Sequence, residues 1–161
     1  MTNILVPTDF TAASLKMAEN ALNSGNFEKC NLVLFHAFEM PSSPFDLLFS
    51  NYKDPSGELI TESFRQACKQ LKDEHAKRVG KIIIRCMNGD TRAVFRNFAE
   101  ANEIDLIYCP EDYVFQPVHV RSVNPLYLFK KCAIPVLKNR SQKQETVFSP
   151  AYLSAIPVPA R

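Results

Sequence analysis

The stretch DLIYCPEDYVFQPVHVRSVNP, residues 105–125, opens on a short apolar run and closes on a helix start. Leu106-Ile107-Tyr108 has the continuous apolar character of a strand buried on both faces, and Asn124-Pro125 reads as a helix cap followed by a first helical residue. In α/β proteins a loop between such a strand and such a helix often cradles a phosphate, yet this one contains no glycine. The same alternation extends in both directions. Ile4-Leu5-Val6 forms a first strand, and Thr11–Asn23 a helix with Leu15, Ala18, Ala21 and Leu22 on one face, ended by Gly25. Leu32–Phe35 is a second strand. The loop after it is punctuated by Pro41, Pro44, Pro55 and Gly57, and its Phe45, Leu47, Leu48 and Phe49 are apolar enough to be expected to fold over something. Glu58–Val79 reads as one long helix with Ile60, Phe64, Ala67, Cys68 and Leu71 inward. Ile82-Ile83-Ile84 is a third strand, and Asn88-Gly89-Asp90 supplies a turn and an N-cap for a helix carrying Val94, Phe95, Phe98 and Ala101. After the fourth strand, 106–108, a helix from Pro125 through Cys132 leads to a fifth strand, Ile134–Leu137.

A βαβαβαβαβ order with continuous apolar strands implies a mostly parallel, doubly wound sheet with helices on both faces, because parallel strands need crossovers and these bury both sides. Ligands in such sheets sit at the carboxyl ends of the strands. Here those ends are Pro7-Thr8-Asp9, His36-Ala37, Cys86-Met87 and Cys109-Pro110.

Composition narrows the function classes. The 161 residues are 46% hydrophobic, enough for one compact domain with a full core. The net charge of +2 comes from 19 basic and 17 acidic residues interspersed along the chain, so neither nucleic acid nor a membrane surface is expected as partner. No apolar run has the length of a membrane span and no export signal is evident, so a cytoplasmic location is expected. The five cysteines form no CxxC pair and His36, His75 and His119 lack ligand spacing, so no metal is expected. No nucleophile, base and orienter set can be assembled, and neither GxSxG nor a full P-loop is present, so catalysis is not expected.

Five segments carry a resemblance: NILVPTDFTAAS with Asp9, LVLFHAFE with His36, NGD, DLIYCP, and KKCAIPVL. Together, over about residues 3–137, the chain resembles a universal stress protein. That likeness implies a flavodoxin-like five-stranded sheet in the order 3-2-1-4-5. It also implies a cleft at Pro7, Asp9, Ala37, Cys109, Pro110, Tyr113, Arg121, Ser122 and Val123. In the nucleotide-binding branch of the family the fourth strand leads into a loop of glycine, two residues, glycine, about nine residues, then glycine with serine or threonine. Here Pro110 falls at the first glycine, Tyr113 at the second, and Arg121-Ser122 or Ser122-Val123 at the last pair. Pro110 has no N–H and Tyr113 adds a ring, so successive backbone amides cannot approach a phosphate closely. Glu111 and Asp112 add carboxylates; were they turned inward, like charges about 4 Å apart would cost on the order of 4 kcal/mol at an effective dielectric of about 20.

The resemblance and the departure together lead to the expectation of a non-catalytic, dimeric stress-response or regulatory module with no nucleotide cofactor. The alternative is a cleft that takes ATP, AMP or another anion through Arg121, Arg92 or His119. Asp9 is read either as a nucleoside contact or as a capping and turn-making residue, His36 as a strand-end residue without catalytic duty, and Cys109 as an inert buried thiol. Lys130-Lys131 are placed in the last turn of the final helix. The resemblance further implies a homodimer through the edge strand Ile134, Pro135, Val136 and Leu137. The domain is set at residues 1–140. Residues 141–161 form a Pro-containing extension with Val147, Phe148, Tyr152, Leu153, Ile156 and Val158, expected to be extended and docked on its own domain, on the partner subunit or over the cleft, the alternative being a free tail.

Overall fold

The computed structural model describes residues 1–41, 43–49 and 54–139. The elements are β1 (Thr2–Pro7), α1 (Ala12–Asn23), β2 (Cys30–Phe38), α2 (Pro44–Phe49), α3 (Ser56–Leu59), α4 (Glu62–Glu74), β3 (Val79–Asn88), α5 (Arg92–Ala101), β4 (Leu106–Tyr108), α6 (Pro125–Phe129) and β5 (Val136–Leu137). The strands form one sheet in the order β3-β2-β1-β4-β5, every neighbouring pair parallel. This is the flavodoxin-like doubly wound fold expected from the sequence.

Alternation along the central strands feeds two cores. Ile4 and Val6 of β1 and Leu32 and Leu34 of β2 pack with Ala18 and Leu22 of α1 and Phe64 and Leu71 of α4. Leu5, Val33 and Phe35 point the other way, to Phe95 and Ala99 of α5 and Leu128 and Phe129 of α6. Because β1 and β2 are buried on both faces, they carry no polar side chain between Ile4 and Val6 or between Leu32 and Phe35.

Several expectations are corrected. The long helix read at 58–79 is broken: Ile60 is extended, and Thr61 caps α4 by accepting from the Phe64 N–H at 3.1 Å. Helix periodicity alone could not see that interruption, and at the other end Val79 already belongs to β3, which runs to ten residues. The cap of α5 is Thr91 and not Asp90. Gly89 has φ +139°, a conformation for which only glycine is suited, and turns the chain from β3 toward α5. Asn124 caps α6 as read, but the helix stops at Phe129, so Lys130 is its C-cap and Lys131, at φ +57°, lies beyond it. Phe45 and Leu48, expected to be covered, are exposed, 67% and 77%. The extension 141–161 and its docking lie outside the described residues, as does Arg140, the last residue of the expected domain.

Candidate functional site

The order of strands reverses at β1, with β2 on one side and β4 on the other, so the two connections leaving their carboxyl ends part and open a cleft. The cleft has a volume of about 460 Å³. Its floor holds Pro7, Asp9 and Pro110; one wall is α1 and the other is the loop from Asp112 to Gln116.

The floor is built by side chains that keep their own backbone in order. Phe10 sits at φ +62°, and the turn is held by Asp9, whose Oδ1 accepts from the Thr11 N–H at 3.1 Å and from the Thr11 hydroxyl. Asp9 is therefore turn-making, and the cap of α1 is Thr11, which accepts from the Ser14 N–H. Thr8 is buried; its hydroxyl lies 2.8 Å from that of Ser14, which in turn donates to the Thr11 carbonyl at 2.7 Å.

After β4 the chain makes a tight turn, with the Tyr113 N–H donating to the Pro110 carbonyl at 3.0 Å. Pro110 is buried, while Glu111 and Asp112 at the turn's centre are exposed. The two carboxylates thus do not both face inward, and solvent screening replaces the large repulsion that an inward pair would impose. Only Asp112 of the two lines the cleft. The Tyr113 ring is half-buried, and burial pushes its phenol well above the usual tyrosine range.

Farther along, the loop is fastened to the end of β2. Arg121 C=O accepts from the Glu39 N–H at 2.8 Å, Val123 N–H donates to the Ala37 carbonyl at 2.9 Å, and Ser122 bridges Phe38 in antiparallel fashion. Under that clasp lies His36, 5% exposed, between Phe10 and Phe38 with ring centroids at 5.1 and 4.7 Å. Its Nδ1 is 2.7 Å from the Thr8 carbonyl, which can only accept, so Nδ1 carries the proton and Nε2 accepts from the Ser122 hydroxyl at 2.8 Å. The Ser122 oxygen also accepts from the His119 N–H at 3.1 Å. Burial is the main reason the His36 pKa falls below its ordinary value, opposed by the Thr8 bond and the Asp9 charge, and His119 lowers it further. The result is a neutral imidazole with both nitrogens engaged, a strut between β1, β2 and the loop. Cys109 is buried and its thiol is pushed up to about 11 by desolvation, against the weaker pull of Lys138, so thiolate chemistry is suppressed there.

Thus Pro7, Asp9, Pro110 and Tyr113 line the cleft, whereas Ala37, Ser122 and Val123 are brought together in the clasp beside it, and Cys109 is turned into the core. Of the residues weighed as substitutes for the lost amides, none lines the cleft. Arg92 stacks on Tyr127 at 4.7 Å on the other face of the molecule; the His119 Nδ1 accepts from the Arg121 N–H at 3.1 Å. The cation that does line the cleft is Lys16, held by Glu19 at 2.9 Å. The sequence reading missed it, together with Ala13, Met17 and Asn20, although these four fall at i, i+3, i+4 and i+7 on α1, a stripe adjacent to the core stripe. Among the described residues no three His, Cys, Asp or Glu side chains converge in a way that could hold a metal, and no helix is long and apolar enough to cross a membrane.

The sequence pattern of the Universal stress protein family matches residues 1–111, more than half of the chain. The chain belongs to the universal stress protein family. Solved structures agree with that assignment in fold. Universal stress protein UspA from Lactobacillus plantarum is 20% identical with a TM-score of 0.51, the match covering 86% of this chain and 97% of that one. The hypothetical protein PH0823 is 18% identical at 0.52, covering 87% and 96%, and the hypothetical protein MJ0577 is 17% identical at 0.50, covering 88% and 97%. No curated protein matches. The family match ends at Glu111, in the turn that follows β4.

Proposed function

We propose that this universal stress protein is a non-catalytic, cytoplasmic, dimeric regulatory module whose cleft takes neither ATP nor AMP. The observation that carries the reading is the turn from Pro110 to Tyr113. At the point where a phosphate needs consecutive free amides, the first residue has none and the Tyr113 N–H is spent on the Pro110 carbonyl. The charges around the cleft support it: Asp9 and Asp112 against Lys16, whose ammonium already pairs with Glu19. Absence of catalysis is supported by the neutral, doubly engaged His36 and by the raised pKa of Cys109.

Dimerisation is proposed through β5. Pro135 and Leu137 turn their carbonyls to β4, accepting from the Ile107 and Cys109 N–H groups at 2.9 and 3.0 Å, so Val136 between them turns its own N–H and C=O outward. Pro135 sits just before the strand, where its missing N–H costs no bond within it. Residues 141–161, proposed to dock, would add apolar area to this assembly.

The nucleotide reading is tested by thermal denaturation with millimolar ATP or AMP and magnesium. A ligand at a hundred times its dissociation constant stabilises by about 2.7 kcal/mol, several degrees for a domain of this size. The expected shift is nil. A rise of several degrees would overturn the empty-cleft reading, and isothermal titration would then give the stoichiometry.

A further inference from the structure

The sheet has two edges, and they are unlike. At one, β5 has two residues; at the other, β3 has ten, Val79–Asn88. Residues along a strand turn their peptide groups alternately to the two sides, and register from Leu32↔Ile82 to Phe38↔Asn88 is unbroken. Since the Gly89 N–H donates to the Phe38 carbonyl, odd-numbered residues face β2, and Ile82, Ile84 and Cys86 turn their N–H and C=O groups to the open side. Among the described residues no backbone group pairs with them; the Ile84 carbonyl receives a long 3.5 Å contact from the guanidinium of its neighbour Arg85. An unpaired row of this length is a template for another strand unless something opposes pairing.

What opposes it here is charge of one sign. Beside the edge, a groove of about 420 Å³ runs between α4 and β3, with Cys68 and the half-buried Ile82, Ile83 and Ile84 as its apolar part. Arg65, Lys69 and Lys72 stand along its α4 side at i, i+4 and i+7, and Arg85 closes it from the strand; Lys81, which precedes Ile82 in β3, is exposed. No carboxylate lines the groove, and none of these five cations is in an ion pair among the described residues. The basic stretch ends at Asp54, whose charge acts on Cys86.

We infer that the free edge of β3 and the basic stripe of α4 together take an extended acidic segment of a partner protein as a sixth strand. Main-chain bonds to Ile82, Ile84 and Cys86 would hold it, and its alternate side chains would face α4, where carboxylates meet Arg65, Lys69 and Lys72. Two other occupants are opposed by the same charges. A second copy pairing two-fold through β3 would set Lys81, Arg85 and the α4 stripe against their own images. The chain's own residues 141–161 carry Lys143, Glu145 and Arg161 as their charged side chains and so are not acidic.

The probe is a fluorescein-labelled octapeptide, Thr-Glu-Val-Glu repeated twice, with the lysine-for-glutamate peptide as its control, read by polarisation. The acidic peptide is expected to bind saturably at low ionic strength and to weaken strongly toward 1 M salt, where the screening length is about 3 Å. The double variant Lys69→Glu/Lys72→Glu, at two exposed positions, is expected to keep the native circular dichroism and lose roughly tenfold or more in affinity. Hydrogen exchange by NMR adds the readout that charge alone would not move: the amides of Ile82, Ile84 and Cys86 should exchange more slowly with peptide bound. The inference is overturned if the acidic peptide fails to bind, if the lysine peptide binds as well, or if binding leaves those amides unchanged. It is overturned equally if wild-type protein self-associates through β3, seen as protection of the same amides rising with protein concentration alone.

Discussion

Replacing Ser122 with alanine isolates the clasp between the loop and the end of β2. The hydroxyl donates to His36 Nε2 at 2.8 Å and accepts from the His119 N–H at 3.1 Å, so its loss leaves one acceptor inside a buried aromatic cage and one half-exposed donor. Water can reach the donor, and the cost falls mainly on the imidazole nitrogen; an unsatisfied buried polar group costs about 1–3 kcal/mol. With about 2 kcal/mol as the centre, the melting temperature of a domain this size should fall by about 4–8 °C. The chain has no tryptophan, so urea and thermal unfolding are best followed by far-ultraviolet circular dichroism. The decisive control is a double-mutant cycle with His36→Phe, in which the Ser122 hydroxyl has no acceptor: there Ser122→Ala should cost less than about 0.5 kcal/mol, leaving a coupling above about 1 kcal/mol. A pH series adds a second arm. Burial holds the native His36 below its ordinary value of 6.5, so the unfolded state takes up the proton first as pH falls. The stabilisation is therefore complete above about pH 6.5 and is lost as pH drops through the native pKa; the His36→Phe protein should lack that component. A Ser122→Ala cost below about 0.5 kcal/mol, or an equal cost in both backgrounds, would refute the strut.

Three further outcomes are expected. Burial raises the thiols of Cys68, Cys86 and Cys109 to about 11 against an ordinary 9.0, so their thiolate fraction at neutral pH is roughly a hundredfold lower; peptide mapping after iodoacetamide should show them labelled at least that much more slowly in native than in urea-unfolded protein. Gly89→Ala forces a side chain onto φ +139° with its Cβ 2.9 Å from Val94 Cγ1, and should destabilise by about 1–3 kcal/mol in urea titration. The proposed docking of residues 141–161 is tested by a chain ending at Arg140, which should lose affinity in the proposed dimer by sedimentation or several degrees of melting temperature; no change in either would refute docking.

How the local chemistry was legible and where it ceased to be can be followed residue by residue. Leu106–Tyr108 and the Asn124-Pro125 start of α6 were readable because a strand buried on both faces and a capped helix start are written in adjacent residues. Strand order was not: in the chain β4 follows β3, yet in the sheet it lies beside β1, and only the likeness to universal stress proteins supplied that neighbour in advance. The missing glycines between Cys109 and Asn124 were likewise plain, and with them the absence of a close-approach amide cradle, since Pro110 lacks an N–H in any tertiary context.

What only the folded chain decided was which side chains meet. His36 and Ser122 are 86 positions apart, and nothing in either neighbourhood says that one hydroxyl would link the strand end to the loop. Nor could the pattern say that Glu111 and Asp112 would both be exposed, with only Asp112 lining the cleft, or that Arg92 would stack on Tyr127 away from it, because the direction of an exposed side chain is set by the turn and the neighbour it meets. Local sequence determines whether a backbone can be a strand, a cap or a turn, because those depend on sterics and hydrogen bonds within a few residues. Which groups become neighbours depends on the burial of apolar faces across the whole sheet, and that is settled when the chain closes on itself.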